Sequence, residues 1–211
     1  MKERKEIREK REERREKRKE GKAKSHKPRT VPGASHAVLD LGCGLRKRPS
    51  AIGIDVNPCS QADVVHDLNR FPYPFPRNYF DEIYCDNVIE HLDDVVKVME
   101  ELHRVAKPSA IVTIIAPFFP HRYANTDPTH KHFFGLHSFD YFVEGTSNAD
   151  FLYSNARYEL VSVEFEKGLK QAHWFDRIIT SFANARKELY ENRLSNIFPV
   201  RNLTFELRVK K

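Results

Sequence analysis

The stretch Val38-Leu39-Asp40-Leu41-Gly42-Cys43-Gly44 constrains this chain more than any other. Apolar residues running into two glycines one residue apart describe a short buried strand that stops in a tight turn. Glycine has no Cβ, so the backbone there can bend sharply and lie within contact distance of a ligand. In an open α/β sheet, the carboxyl end of a strand is where ligands bind. Asp40, two residues before the first glycine, adds a charge at the same end.

The strand signal recurs along the chain. Apolar, β-branched runs at residues 37–41, 51–56, 62–65, 80–85 and 111–116 read as five mostly buried strands. Between the last two, residues 93–106 carry Val95, Met99, Leu102 and Ala106 on one helical face, with acids in the first turn and Lys107-Pro108 to close it. Farther on, residues 158–165 predict a strand. Residues 172–190 predict a helix with Phe175, Ile178, Ile179 and Phe182 toward the core. Leu203, Phe205, Leu207 and Val209 alternate with polar residues, the pattern of an antiparallel strand with one wetter face. The expected fold is α/β: a doubly wound, mostly parallel, seven-stranded Rossmann-like sheet with a final antiparallel strand and a charged N-terminal tail. Only about nine residues join the first two strands, fewer than a helical crossover takes, so the first helix should be one turn or absent.

Charge separates the chain into two parts. Residues 1–30 hold 15 Lys/Arg against 7 Glu, while the remainder holds 21 against 23 Asp/Glu, so the net +6 originates in the first segment. Residues 1–34 are expected to be a basic tail and linker, disordered or a lone helix, and residues 35–211 the folded domain. Any pull toward RNA or an acidic partner would come from that tail. Cys43, Cys59 and Cys85 are an odd set without a C-x-x-C pair, which fits a reducing compartment. With a charged start and no apolar run near the ~20 residues of a membrane helix, the expected location is cytoplasmic with no membrane span.

Three further residues extend the first motif. Eleven positions past Gly44 the second strand ends in Asp55, placed to accept hydrogen bonds from two ribose hydroxyls, each worth on the order of 1.5–3 kcal/mol. A third strand ends in Asp67, able to receive an adenine amino group while Leu68 lies against the ring. Nicotinamide dinucleotide sites use similar parts, but their G-x-G-x-x-G pattern needs a small residue where this chain has Lys47, and Asp40 would repel a pyrophosphate.

Taken together, these motifs resemble the class I S-adenosylmethionine (SAM)-dependent methyltransferases, particularly the broad group of the ubiquinone-biosynthesis type. The resemblance covers residues 37–117 best. It extends through Phe80-Asp81-Glu82-Ile83-Tyr84, Glu90-His91-Leu92 and Arg104-Val105-Ala106-Lys107-Pro108. It implies that Asp40, Gly42 and Gly44 hold the methionine part of SAM, Asp55 the ribose, Asp67 and Leu68 the adenine, and that Asn87 lies beside the methyl donor. Lys47 and Arg48 either close over an anionic group of the ligands or are solvated surface charges.

Residues 117–137 form a long loop after the fifth strand, holding His121, Asp127, His130, His132 and His137 among Phe118, Phe119, Tyr123, Phe133 and Phe134. Loops of this length usually serve a site. His130, with His91 as rival, is the candidate catalytic base. Scaffolding of the loop is the competing role, and the aromatics either line an acceptor pocket or simply pack. His-x-His with Asp127 is also a possible metal set, but methyl transfer from SAM needs none, so no metal is expected. Three functions compete: methylation of a small-molecule, lipid or sugar-intermediate acceptor; methylation of RNA or protein guided by the tail; and a catalytically silent SAM-binding partner subunit. The first is favoured by the near-neutral domain and the aromatic loop.

Overall fold

A computed structural model of the chain describes residues 36–166 and 174–211; the tail expected at residues 1–34 lies outside them. Seven strands form one sheet: β1 (Val38–Leu41), β2 (Ile52–Asp55), β3 (Val64–Val65), β4 (Phe80–Asp86), β5 (Ala106–Pro117), β6 (Arg157–Phe165) and β7 (Asn202–Lys210). Their order is β3-β2-β1-β4-β5-β7-β6. The first five pair in parallel, and β7 runs antiparallel to both β5 and β6. That is the mixed, Rossmann-like sheet expected from the strand pattern.

The chain winds outward from β1 to β3 and then returns to β4 on the other side of β1. Leu41 therefore pairs with Ile54 on one flank and with Cys85 on the other. At such a reversal the connections leave in opposite directions, and a crevice opens between the carboxyl ends of the two strands. Gly42 begins just past β1 and Asn87 just past β4, so both motifs converge on that crevice.

Helix α1 (Val95–Val105) is the long crossover helix between β4 and β5. Asp94 caps it, its side chain accepting from the Lys97 amide at 3.0 Å. The acids expected in the first turn therefore precede the helix, because a carboxylate serves better as the cap than inside it. Val98, Met99, Leu102 and Val105 form the buried face. Each fully buried side chain of this size contributes about 1.5–3 kcal/mol, which is what anchors a helix this short.

No helix follows β1. Residues 42–50 instead lie directly on β2, so close that a Cβ on Gly53 would sit 2.6 Å from the Lys47 side chain and 2.7 Å from the Cys43 sulfur. Lys47 is anchored there by Asp63 at 2.7 Å, and Asp63 also accepts the Gly53 amide at 2.8 Å. The turn covers the sheet where a first helix would have packed.

Two more helices frame the other end of the edge: α2 (Arg122–Thr126) after β5, and α3 (Trp174–Ala185) before β7. The expected inward face of α3 needs correction. Thr180 and Ala183 are its buried residues, whereas Phe175, Ile178 and Phe182 remain 40%, 55% and 38% exposed. The apolar residues do share one half of the helix, but that half mostly faces outward, with Ile179 packed in part against the core, so periodicity found the apolar side and not the buried one. Among the described residues, no helix is long and apolar enough to cross a membrane.

Candidate active site

The crevice between β1 and β4 holds a cavity of about 340 Å³, lined among others by Gly42, Asp55, Asp67, Leu68, Asn87 and His91. Gly42 has φ +66, and a Cβ on it would stand 2.3 Å from Val88, so glycine is required by both conformation and space. Gly44, at φ +52, faces open space: a Cβ there meets nothing nearer than 4.0 Å. Asp55 is buried and accepts the amides of Gly44 at 2.9 Å and Asn57 at 2.7 Å, which locks the turn to the strand end. Each of its oxygens retains a second lone pair for a ligand hydroxyl. Asp67 accepts the Asn69 amide at 3.1 Å and is partly solvated. Asn87 is held at φ +52 and donates to Asp86 at 2.6 Å. A strained residue of this kind at a strand end is common at functional turns.

Support for Leu68 comes from below and has no motif of its own. The buried Tyr73 hydroxyl donates to the Leu68 carbonyl at 3.1 Å. Tyr73 is fixed in turn by Glu101, which accepts its amide at 2.5 Å and pairs with Arg104 at 2.6 Å. Glu101 and Arg104 lie on α1, so the helix sets the floor of the cavity.

Asp40 lies outside the cavity wall. It is buried, accepts the Arg48 amide at 2.7 Å and has the Arg48 guanidinium at 4.0 Å; burial raises its pKa while Arg48 opposes the rise. Arg48 also reaches Asp86 at 3.7 Å and stacks over Tyr84 at 4.0 Å. It thus bridges the ends of β1 and β4, unlike Lys47, which is turned to Asp63. Two carboxylates, Asp55 and Asp67, thus face the cavity together with the apolar Leu68 and the bare backbone of Gly42, whereas Gly44, like Asp40, is not part of its lining.

At one rim of this cavity stand Glu90, His91 and His130, whose ligating atoms all lie within 4.8 Å of one another. His91 and His130 meet edge to face at 4.6 Å between ring centres. Glu90 is only 1% exposed, its oxygens have no hydrogen-bond partner among the described residues, and burial pushes its pKa up to about 7. Burial, and then His130, lowers the pKa of His91. The loop is pinned here by its backbone, since the Lys131 and His132 amides donate to the Glu90 carbonyl at 2.7 and 3.3 Å.

Not every loop residue joins this group. His132 Nε2 donates to the Leu92 carbonyl at 2.9 Å, and Asp127 accepts from Thr129, so the His-x-His and Asp set suggested by spacing is not assembled. His121 caps α2, accepting the Tyr123 amide at 3.2 Å. His137 joins Asp140 at 2.7 Å and Glu188 at 2.9 Å. Phe118 and Phe134 are buried in the core, whereas Tyr123 faces a second cavity.

That second cavity, of about 480 Å³, opens on the same sheet edge at the ends of β5 and β6 and the start of β7. Tyr123, Phe175 and Phe198 supply its aromatic wall; Arg122, Arg201, Glu166 and Asp176 supply charge of both signs. Glu166 has its pKa raised by burial, with Asp86 adding to the rise against Arg201. Sequence reading missed this cavity because β6, α3 and the segment before β7 each contribute only isolated positions.

Comparison with known proteins agrees with the geometry. A family model described as a methyltransferase domain matches residues 39–114. No curated protein sequence matches the chain significantly. Among solved structures, a SAM-dependent methyltransferase from Archaeoglobus fulgidus shares 19% identity at a TM-score of 0.50, over 83% of this chain and 86% of that one. A Haemonchus contortus phosphoethanolamine N-methyltransferase, in complex with phosphomonomethylethanolamine and S-adenosylhomocysteine, shares 16% identity at 0.50, over 86% of this chain and 50% of that one. The [4+2]-cyclase SpnF shares 16% identity at 0.51, over 86% of this chain and 77% of that one. Likeness at these identities is likeness of fold.

Proposed function

We propose that this chain, a class I SAM-dependent methyltransferase, passes the methyl group to an oxygen or nitrogen nucleophile of a small-molecule acceptor, such as a lipid or sugar intermediate. The observation that carries this reading is the pairing of two cavities on one sheet edge. One holds the residues suited to SAM, and the other is a partly aromatic, charged chamber of a size that small ligands use. Helix α2 links them: Tyr123 lines the larger cavity, and the Ala124 carbonyl accepts His130 Nδ1 at 2.9 Å.

When bound, SAM supplies a methyl group already activated on a sulfonium. In this reading Asp55 holds the ribose, Asp67 and Leu68 the adenine, and Gly42 and Gly44 give the methionine part room, with Asp40 and Arg48 shaping that end of the turn. Asn87 stands beside the transferring group. Arg122 and Arg201 are balanced by Glu166 and Asp176, so the chamber suits an acceptor with polar groups of both kinds rather than one of strong net charge. Holding two reactants in near-attack geometry supplies about 7–11 kcal/mol, while proton removal adds about 10²- to 10⁴-fold for a hydroxyl acceptor. His130, assisted by His91, handles that proton: its Nδ1 is committed to Ala124, so Nε2 is the accepting nitrogen.

Incubation of the purified protein with methyl-labelled SAM and separated small-molecule, lipid, RNA and protein fractions tests the proposal. Label in a small-molecule or lipid fraction is expected, and it should depend on Asp55. Label confined to RNA or protein would overturn the acceptor class; SAM binding without label anywhere would favour a silent partner subunit.

A further inference from the structure

The Glu90, His91 and His130 cluster is built in a way that proton transfer alone does not explain. His130 Nδ1 faces a carbonyl, which can only accept, so the proton of the neutral ring is on Nδ1 and the Nε2 lone pair is free. His91 Nδ1 lies 2.8 Å from the Thr129 hydroxyl, which donates its own proton to Asp127 at 2.7 Å. Thr129 must therefore accept from His91, and that ring too has its proton on Nδ1 and a lone pair on Nε2. Two imidazoles are thus oriented by hydrogen bonds at their far nitrogens, as metal-bound histidines are. Beside them lies a carboxylate that is almost wholly buried, with both oxygens unpartnered among the described residues. His130 Nε2 stands 3.9 Å from Glu90 Oε1, too long for a hydrogen bond.

We propose that these three side chains bind a divalent first-row transition metal of the Zn²⁺ class. Two imidazole nitrogens and one carboxylate are the ligand set of sites that keep coordination positions open. Ligand distances of about 2.0–2.2 Å around such an ion need the three groups to close by roughly an ångström, which side-chain rotation provides. Because His91 also lines the cofactor cavity, the ion would sit at the wall of that cavity. The methyl-transfer reading required no metal and gave the Nε2 lone pair of His130 to proton removal; an ion would take that lone pair, so the two roles are alternatives, and binding is measurable without turnover. A shared proton on Glu90 is the competing occupant.

The test uses the tag-free full chain, stripped with chelator and titrated with Co²⁺, followed by visible absorption, and with Zn²⁺, followed by metal analysis after dialysis. One ion per chain is expected, with affinity reduced at least ~100-fold in His130→Ala, His91→Ala and Glu90→Gln. Asp55→Ala, on the opposite side of the cavity, should keep it. Circular dichroism identifies variants that fail to fold, and the two histidine variants keep the test open if Glu90→Gln is one of them. No stoichiometric ion in the wild type, or equal binding in the folded variants, overturns the site. Calorimetry with SAM on the same samples separates outcomes: SAM bound without metal removes only the metal site, whereas metal without SAM removes the methyltransferase reading.

Discussion

The two halves of the sheet edge are built by different means. On the β1–β3 side, short local turns make the site: the Gly44 amide donates to the Asp55 carboxylate, the Gly42 amide donates to the Ile54 carbonyl, and both glycines hold torsions that only glycine tolerates easily. From β4 to β7, side chains distant in sequence come together: Glu90 with His130 at the rim of the first cavity, and Glu166 near Arg201 in the lining of the larger one. A turn-built site binds a constant ligand and leaves little room for variation. A side-chain-built site is easily altered by single substitutions, as acceptor recognition requires.

Changes at the turn should therefore harm folding and cofactor binding together, and changes on the acceptor side should spare both. The largest effect is expected from Gly42→Ala, which forces a Cβ into Val88 at an unfavourable φ. A loss of about 2–5 kcal/mol should lower the melting temperature by roughly 5–15 °C and abolish measurable SAM binding. Gly44→Ala, with open space around its Cβ, should lose only about 1–2 kcal/mol. Equal melting temperatures for the two variants would break the distinction between packing and access.

Next in size, Asp55→Ala should weaken SAM by roughly 10- to 150-fold by calorimetry. On the other half, His130→Ala should hold SAM within a few-fold of wild type while methyl transfer falls by about 10²-fold or more. If His130→Ala instead unfolds, its bond to Ala124 is scaffolding, and the two halves are less independent than the geometry suggests.

The smallest effect concerns His137, whose pKa is raised from 6.5 chiefly by its hydrogen bond to Asp140, with Glu188 adding to the shift. A histidine stabilised in its charged form contributes fully below about pH 6.5 and loses that contribution as pH rises through its folded pKa. The side chain is more than half exposed, so only a few tenths of a kcal/mol is expected. The wild-type advantage over His137→Gln in thermal melts should be present at pH 6 and decline as pH rises above 6.5 through the raised pKa of the histidine.

The same division explains what could be read in advance. Strand positions, the missing first helix and the convergence of Gly42, Asp55, Asp67, Leu68 and Asn87 on one cavity follow from contiguous patterns. Asp40 was visible as part of the motif, but not its engagement by Arg48, because Lys47 and Arg48 look alike until the turn folds. Tyr73 beneath Leu68 depends on a helix 28 residues away through Glu101, and Glu90 passes in sequence for a residue of a common turn. Its burial against His130 is a property of the folded loop. The α3 face is the converse case: its apolar half is plain in the sequence, yet that half stays largely exposed and the helix packs through Thr180 and Ala183, which no pattern of apolar residues foretells.

Diffraction from crystals grown with S-adenosylhomocysteine tests the central claim most directly. The account predicts the ribose hydroxyls on Asp55, the adenine over Leu68 with its amino group toward Asp67, and the sulfur directed to the side where His91 and His130 stand. Ligand density in the larger cavity instead, or a ribose away from Asp55, would contradict it.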